Sequence, residues 1–190
     1  MDEGRFEDKG HGLVPVSEGW SVLNVRDARW FDGNGSHSAP LTGHDEYTAE
    51  NFYPMLGLAV RVLEPGAPMA IYHWETEAED FLVLAGTPLL IVDGQERMLK
   101  QWDFVHCPPG AKHVLVGAGD GPSLVVATSS RQFQKDGPWG YYVADETVAK
   151  YGASAPETTQ DGGIASRDWS PRQESRYREG WLPDVGWPAS

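Results

Sequence analysis

The segment Gly66-Ala-Pro-Met-Ala-Ile-Tyr-His73-Trp-Glu75-Thr-Glu-Ala-Glu79-Asp-Phe81-Leu-Val83-Leu-Ala85-Gly86 decides how the rest of the chain is read. His73 and Glu75 are two residues apart, so on an extended chain both side chains leave the same face. Thr76 to Ala78 form the expected turn, which returns Glu79 beside the first pair. Phe81, Val83 and Ala85 then continue the face of Glu79 with a period of two. Further on, Trp102-Asp-Phe-Val-His106-Cys107-Pro-Pro-Gly110-Ala-Lys-His113 ends with another imidazole at the start of an apolar strand.

Working outward, short apolar runs recur with Gly and Pro between them. Strands are expected at Met55–Leu63, Pro68–Trp74, Asp80–Leu84, Pro88–Val92, Glu96–Lys100, Phe104–Cys107, Val114–Val116 and Ser123–Ser129. Asp93-Gly94 is a two-residue hairpin signal. The pattern predicts an all-β chain, an antiparallel β-sandwich or jelly-roll barrel, with short C-terminal helical turns and an irregular tail. Residues 1–19 are expected as an N-terminal arm, 20–145 as the barrel, and 146–190 as a helix and tail packing on the barrel or on a partner subunit.

Trp20 to Arg26 reads as a first strand, and Asp32 to Tyr53, rich in Gly, Ser, His, Asp and Asn, as an irregular loop. His37 and His44 within it read as solvated, because neither has a second ligand at short fixed spacing. Arg61 reads as facing solvent or a partner; an inward Arg61 would suit an anionic substrate. Asp145 to Tyr151 carries helix signals, an acidic start and Gly152 at the stop. The tail holds Trp169, Tyr177, Trp181, Leu182 and Trp187, aromatics that should dock on a surface.

The spacing His73-x-Glu75-(three residues)-Glu79-(six residues)-Gly86, followed by Asp103 to Pro108-x-Gly110-x-x-His113, resembles the two motifs of the cupin superfamily. The likeness spans roughly residues 55–130. Three positions depart from the family pattern: Glu75 stands where the family has a second histidine, Trp102 where it has glycine, and Gly117 where it has asparagine. The resemblance implies one divalent metal per chain (Fe, Mn, Zn or Ni), held by His73, Glu75, Glu79 and His113, with Glu75 or Glu79 free to act as the catalytic proton carrier. Two histidines with one carboxylate would form the facial set used by non-haem Fe(II) oxygenases.

Phe81, Val83, His106 and Leu115 are expected to line the pocket. Glu77 and Asp80 are expected in water, and Cys107, with no basic neighbour foreseen, as a small buried hydrophobe.

Composition narrows the function. The chain of 190 residues has a net charge of −13, which disfavours a nucleic-acid partner. No apolar run is long enough for a membrane helix, and Met1 to Lys9 lacks a signal-peptide pattern. One cysteine excludes an internal disulfide, so a cytoplasmic protein is expected. The expected function is a metal-dependent enzyme acting on a small oxygen-bearing metabolite by dioxygenase, isomerase or lyase chemistry. The alternative is a non-catalytic binding or sensing barrel. A homodimer is favoured, with no nucleic acid and no membrane.

Overall fold

The computed structural model describes residues 2–17, 19–42, 55–131 and 139–183. His44 and Trp187, both singled out in the sequence, lie outside the described residues.

The described residues hold fourteen strands, β1 (Phe6–Asp8), β2 (Leu13–Pro15), β3 (Trp30–Gly33), β4 (Ser36–Thr42), β5 (Leu56–Leu63), β6 (His73–Glu75), β7 (Glu79–Ala85), β8 (Leu89–Val92), β9 (Gln95–Met98), β10 (Phe104–Cys107), β11 (His113–Val116), β12 (Ser123–Ser130), β13 (Gly140–Tyr142) and β14 (Gln173–Ser175), and two single-turn helices, α1 (Glu146–Ala149) and α2 (Gly162–Ala165). The strands form a seven-stranded sheet, β10-β7-β12-β5-β4-β3-β14, and a five-stranded sheet, β13-β6-β11-β8-β9, with β1 and β2 as a separate pair. Every strand pairing within these sheets is antiparallel, as the short punctuated runs predict. Among the described residues no helix is long and apolar enough to cross a membrane.

Alternation sorts the side chains into layers. Leu63, Phe81, Val83, Leu90, Val105, Leu115 and Val125 meet between the two sheets. Residues one position away in the same strands point outward: Val60, Val62 and Leu124 pack with Trp30 and Trp181. On the other side, Val114, Val116 and Ile91 pack with Tyr72 and with Val148 of α1. The two apolar faces of β11 explain why Val114 to Val116 reads as a continuous run rather than an alternation. Asp145 caps α1 by accepting from the Thr147 backbone N–H at 2.8 Å. Asp93 (φ 45°) and Gly94 (φ 75°) both turn left-handed, which the β8–β9 hairpin requires.

Several expectations are corrected. Residues 36–42 are a strand, since Ser36, His37 and Ser38 find ladder partners on β5. Trp20 to Arg26 is not a strand; it is held by an isolated bridge from Trp20 to Glu3 and by turns. The expected loose arm contains the β1–β2 hairpin. The segment expected as a strand from Pro68 is extended only at its end, β6. The tail, expected on the barrel or on a partner subunit, takes the first course over its described part: β14 pairs with β3, and Trp181 lies 4.9 Å from Trp30, ring centre to ring centre.

His37 is buried on the outer face of β4, with Nδ1 2.9 Å from Asp32 Oδ1 and its ring stacked on Trp181 at 4.3 Å. Asp32 satisfies its Nδ1 from five residues away, while the ring that covers it comes from distant sequence, which spacing could not show.

Candidate metal centre

The turn at residues 76–78 joins β6 to β7 across the mouth of the barrel and brings Glu79 back over His73. β11 pairs with β6 at His113 and His73, so the second motif delivers its imidazole directly opposite the first. The two rings lie 4.9 Å apart. Both Nε2 atoms reach one oxygen: Glu79 Oε2 is 3.2 Å from His73 Nε2 and 2.8 Å from His113 Nε2. One donor atom from each of His73, Glu79 and His113 falls within 4.8 Å of the others, and no other such group occurs among the described residues. Glu75 stands beside this trio, with Oε1 3.8 Å from His73 Nε2, but outside it.

The other ring nitrogens show what the centre accommodates. His73 Nδ1 lies 2.6 Å from the Ile71 carbonyl oxygen, and His113 Nδ1 lies 2.9 Å from that of Ala111. A carbonyl only accepts, so each Nδ1 carries the hydrogen and each neutral ring turns a bare Nε2 toward the carboxylate. Two lone pairs and an anionic oxygen cannot satisfy one another. A positive charge, either a proton or a metal ion, must sit among them. Nδ1 anchoring of this kind orients ligating histidines, and two imidazoles with a carboxylate suit a borderline divalent ion, so these residues fit a metal.

Electrostatics agree. Burial alone would lower the pKa of His113, but hydrogen bonds with Cys107 and Glu79 outweigh it and push the imidazole up to about 10. Burial works against ionisation of Glu79, yet hydrogen bonds with the two histidines hold its carboxyl well below the usual range. Glu75 goes the other way, raised to about 7 by burial and then by the charge of Glu79.

Four other expected site residues fall elsewhere. His106 does not line the pocket: Val105 and Cys107 take the inward positions of β10, leaving His106 on the outer face, 2.6 Å from Asp80 Oδ1. Phe81, Val83 and Leu115 are fully buried in the packed interior, where Phe81 supports His113 at 5.5 Å; none of the three borders the open cavity. Glu77 is buried rather than solvated and accepts a hydrogen bond from Ser130. Cys107 is buried as expected, but it has a basic neighbour in His113.

Beside the trio opens a cavity of about 770 Å³, bordered by His73, Glu75 and Glu79. Trp139 and Tyr142 form an aromatic wall next to His73, their rings edge to face at 4.7 Å. Arg61, Arg131 and Arg172 also border it. Arg61 therefore faces inward, because β5 turns it to the same side as Leu63 and opposite Ser38 of β4. Arg131, Trp139, Tyr142 and Arg172 were not foreseen as site residues; they come from segments with no motif. The aromatic density of the tail was the one hint that Arg172 is carried to the barrel.

Residues 59–129 match the family model described as a cupin domain. No curated protein matches the chain in sequence. Among solved structures, a sugar phosphate isomerase of the cupin superfamily from Silicibacter pomeroyi is 23% identical, with 59% of this chain and 66% of that one covered, at a TM-score of 0.47. A cupin-like protein from Thermotoga maritima is 25% identical over 67% of this chain and 90% of that one, also at 0.47. The polyketide cyclase RemF from Streptomyces resistomycificus is 14% identical over 52% of this chain and 66% of its own, at 0.43. The chain thus spans just under two thirds of the first of these, and 61% of a putative sugar phosphate isomerase from Acidithiobacillus ferrooxidans. With the motif order, the antiparallel sheets and the family match in agreement, the barrel over residues 59–129 belongs to the cupin superfamily.

Proposed function

We propose that this chain is a metal-dependent cupin enzyme acting on a small oxygen-bearing metabolite. The observation that carries the reading is the pair of anchored imidazoles whose Nε2 atoms converge on a single Glu79 oxygen. His73, Glu79 and His113 would hold one divalent ion. Such an ion would supply Lewis acidity, and with Fe(II) an affinity for dioxygen.

The remaining roles belong to the protein. Glu75 is half-buried at the cavity edge, its pKa raised to about 7, so its carboxyl can take a proton from a substrate carbon or hydroxyl and return it. Trp139 and Tyr142 present flat apolar surface against which a small ligand can lie, and they exclude water from the side of His73. The Ile71 and Ala111 carbonyls keep both imidazoles from rotating.

Protein purified without added metal, analysed by mass spectrometry for Fe, Mn, Zn and Ni, should contain about one ion per chain, and His73→Ala and His113→Ala should lose it. Equal content in all three proteins would refute the site. With metal in place, dioxygen uptake and product analysis on small diols, keto acids and catechols should show turnover that Glu75→Gln lowers while retaining the metal. Tight metal-dependent binding with no turnover would instead make the barrel a sensor.

A further inference from the structure

The cavity beside the imidazoles is also lined by cationic side chains. Arg61 points into it from β5. Its Nε is buried without a hydrogen-bond partner, and no ion pair to it forms among the described residues. Arg131 borders the same space, and its Nε is likewise buried and unpartnered. Arg172 enters from the tail, its Nη2 donating to Ser38 Oγ at 2.9 Å, and Ser38 is the cross-strand neighbour of Arg61.

A guanidinium nitrogen taken out of water without an acceptor is costly, and folded chains rarely keep one unless something else satisfies it. Burial, then the charge of Arg172, lowers the Arg61 pKa to about 10, with Glu79 acting the other way, so the side chain still carries its charge at neutral pH. In a protein of net charge −13, cations gathered around one cavity are a local exception.

We propose that Arg61, with Arg172 beside it, binds the anionic group of the substrate, a carboxylate or a phosphate. This rests on the reading of the same cavity as the substrate site of a metal-dependent cupin. The fork of a guanidinium pairs with two oxygens of either anion at once, which fixes orientation as well as charge. The cavity, about 770 Å³, suits a small metabolite, with its anion at Arg61 and the reacting oxygen-bearing end toward His73, Glu79 and His113. The substrate class is then an acidic metabolite such as a hydroxy or keto acid, or a sugar phosphate, rather than a neutral diol.

The test separates this assignment from the metal site. Calorimetric titrations with Mn²⁺ alone, inorganic phosphate alone and malonate alone are made on wild type, Arg61→Met and Arg61→Gln. One of the two anions should bind wild type, and whichever binds tells phosphate from carboxylate. Its Kd should rise at least about tenfold in both variants, the loss expected for a charge-assisted hydrogen-bonding pair. Mn²⁺ affinity should be unchanged, which also shows that the variants are folded. Unaltered anion affinity in either variant, or no binding of either anion to wild type, would overturn the proposal. If Mn²⁺ fails to bind wild type while the anion binds through Arg61, the metal reading falls and the anion site stands.

Discussion

The barrel interior has two halves built on opposite terms. Under β7 and β12, Phe81, Val83, Leu115 and Val125 are wholly buried against one another and leave no polar atom to satisfy. Under β5 and β4, the same inward-facing register carries Arg61, Ser36 and Ser38 around an open cavity. One half contributes stability by excluding water. The other gives some of that stability up to keep charged groups where a ligand can reach them. The His73, Glu79 and His113 trio lies on the seam, Glu79 on the strand of Phe81 and His113 two residues before Leu115.

The largest expected effect lies in the dry half. Phe81→Ala should cost about 3–5 kcal/mol, from lost burial and the cavity left beside His113. Tm by calorimetry should fall by roughly 10 °C. A fall of only a degree or two would mean that this half is not the packed one.

A smaller effect should come from the seam, through pH. Glu75 has a folded pKa of about 7 against an ordinary 4.5, so folding grows less favourable as pH rises through that interval. His113 has a folded pKa of about 10 against 6.5; its contribution is complete below 6.5 and is lost as pH rises toward 10. Both act in one direction. The lowered Glu79 contributes steadily above 4.5 and does not tilt this range. The Tm of metal-free protein should therefore fall steadily from about pH 6 to about pH 9. With saturating Mn²⁺ the slope should vanish or reverse, because the ion takes the place of those protons. Identical slopes with and without the ion would break the contrast between seam and core.

The smallest effect belongs to the rim. Trp102, where the family pattern has glycine, holds φ at 72° and is two-thirds exposed. Left-handed backbone strains a residue with a Cβ, whereas glycine loses more freedom on folding, so Trp102→Gly should gain only about 0.5 kcal/mol net. Denaturant titration would detect it as a raised midpoint with unchanged slope.

The dry half was legible because its information is local. Alternation in Phe81, Val83 and Ala85 and the fixed spacing from His73 to Glu79 state which side chains share a face. The motif at Pro108 to His113 worked for the same reason. The polar half was not legible, since its walls come from Arg61, Arg131, Tyr142 and Arg172, more than a hundred residues apart at the extremes. Arg61 itself was within reach of the period: Leu63 and Ala59 share its parity, but a charged residue on a strand more often faces water. His106 went astray for the converse reason, its nearness in sequence to the second motif outweighing the alternation that sends it outward. Gly117 illustrates a constraint invisible to spacing, because a Cβ there would meet the Glu64 carbonyl oxygen at 2.1 Å. An asparagine could not stand at that position without moving the backbone.

The attachment of β14 to β3 has a bearing on how such a molecule can diversify. The His73, Glu79 and His113 trio sits in the barrel, whereas Arg172 arrives immediately before an appended strand held by edge pairing and by packing between Trp181 and Trp30. On the proposed reading, exchange of that appendage would change which metabolites are admitted while the histidine and carboxylate trio beneath stays intact. Selectivity and reactivity would then rest on separately replaceable parts of one chain.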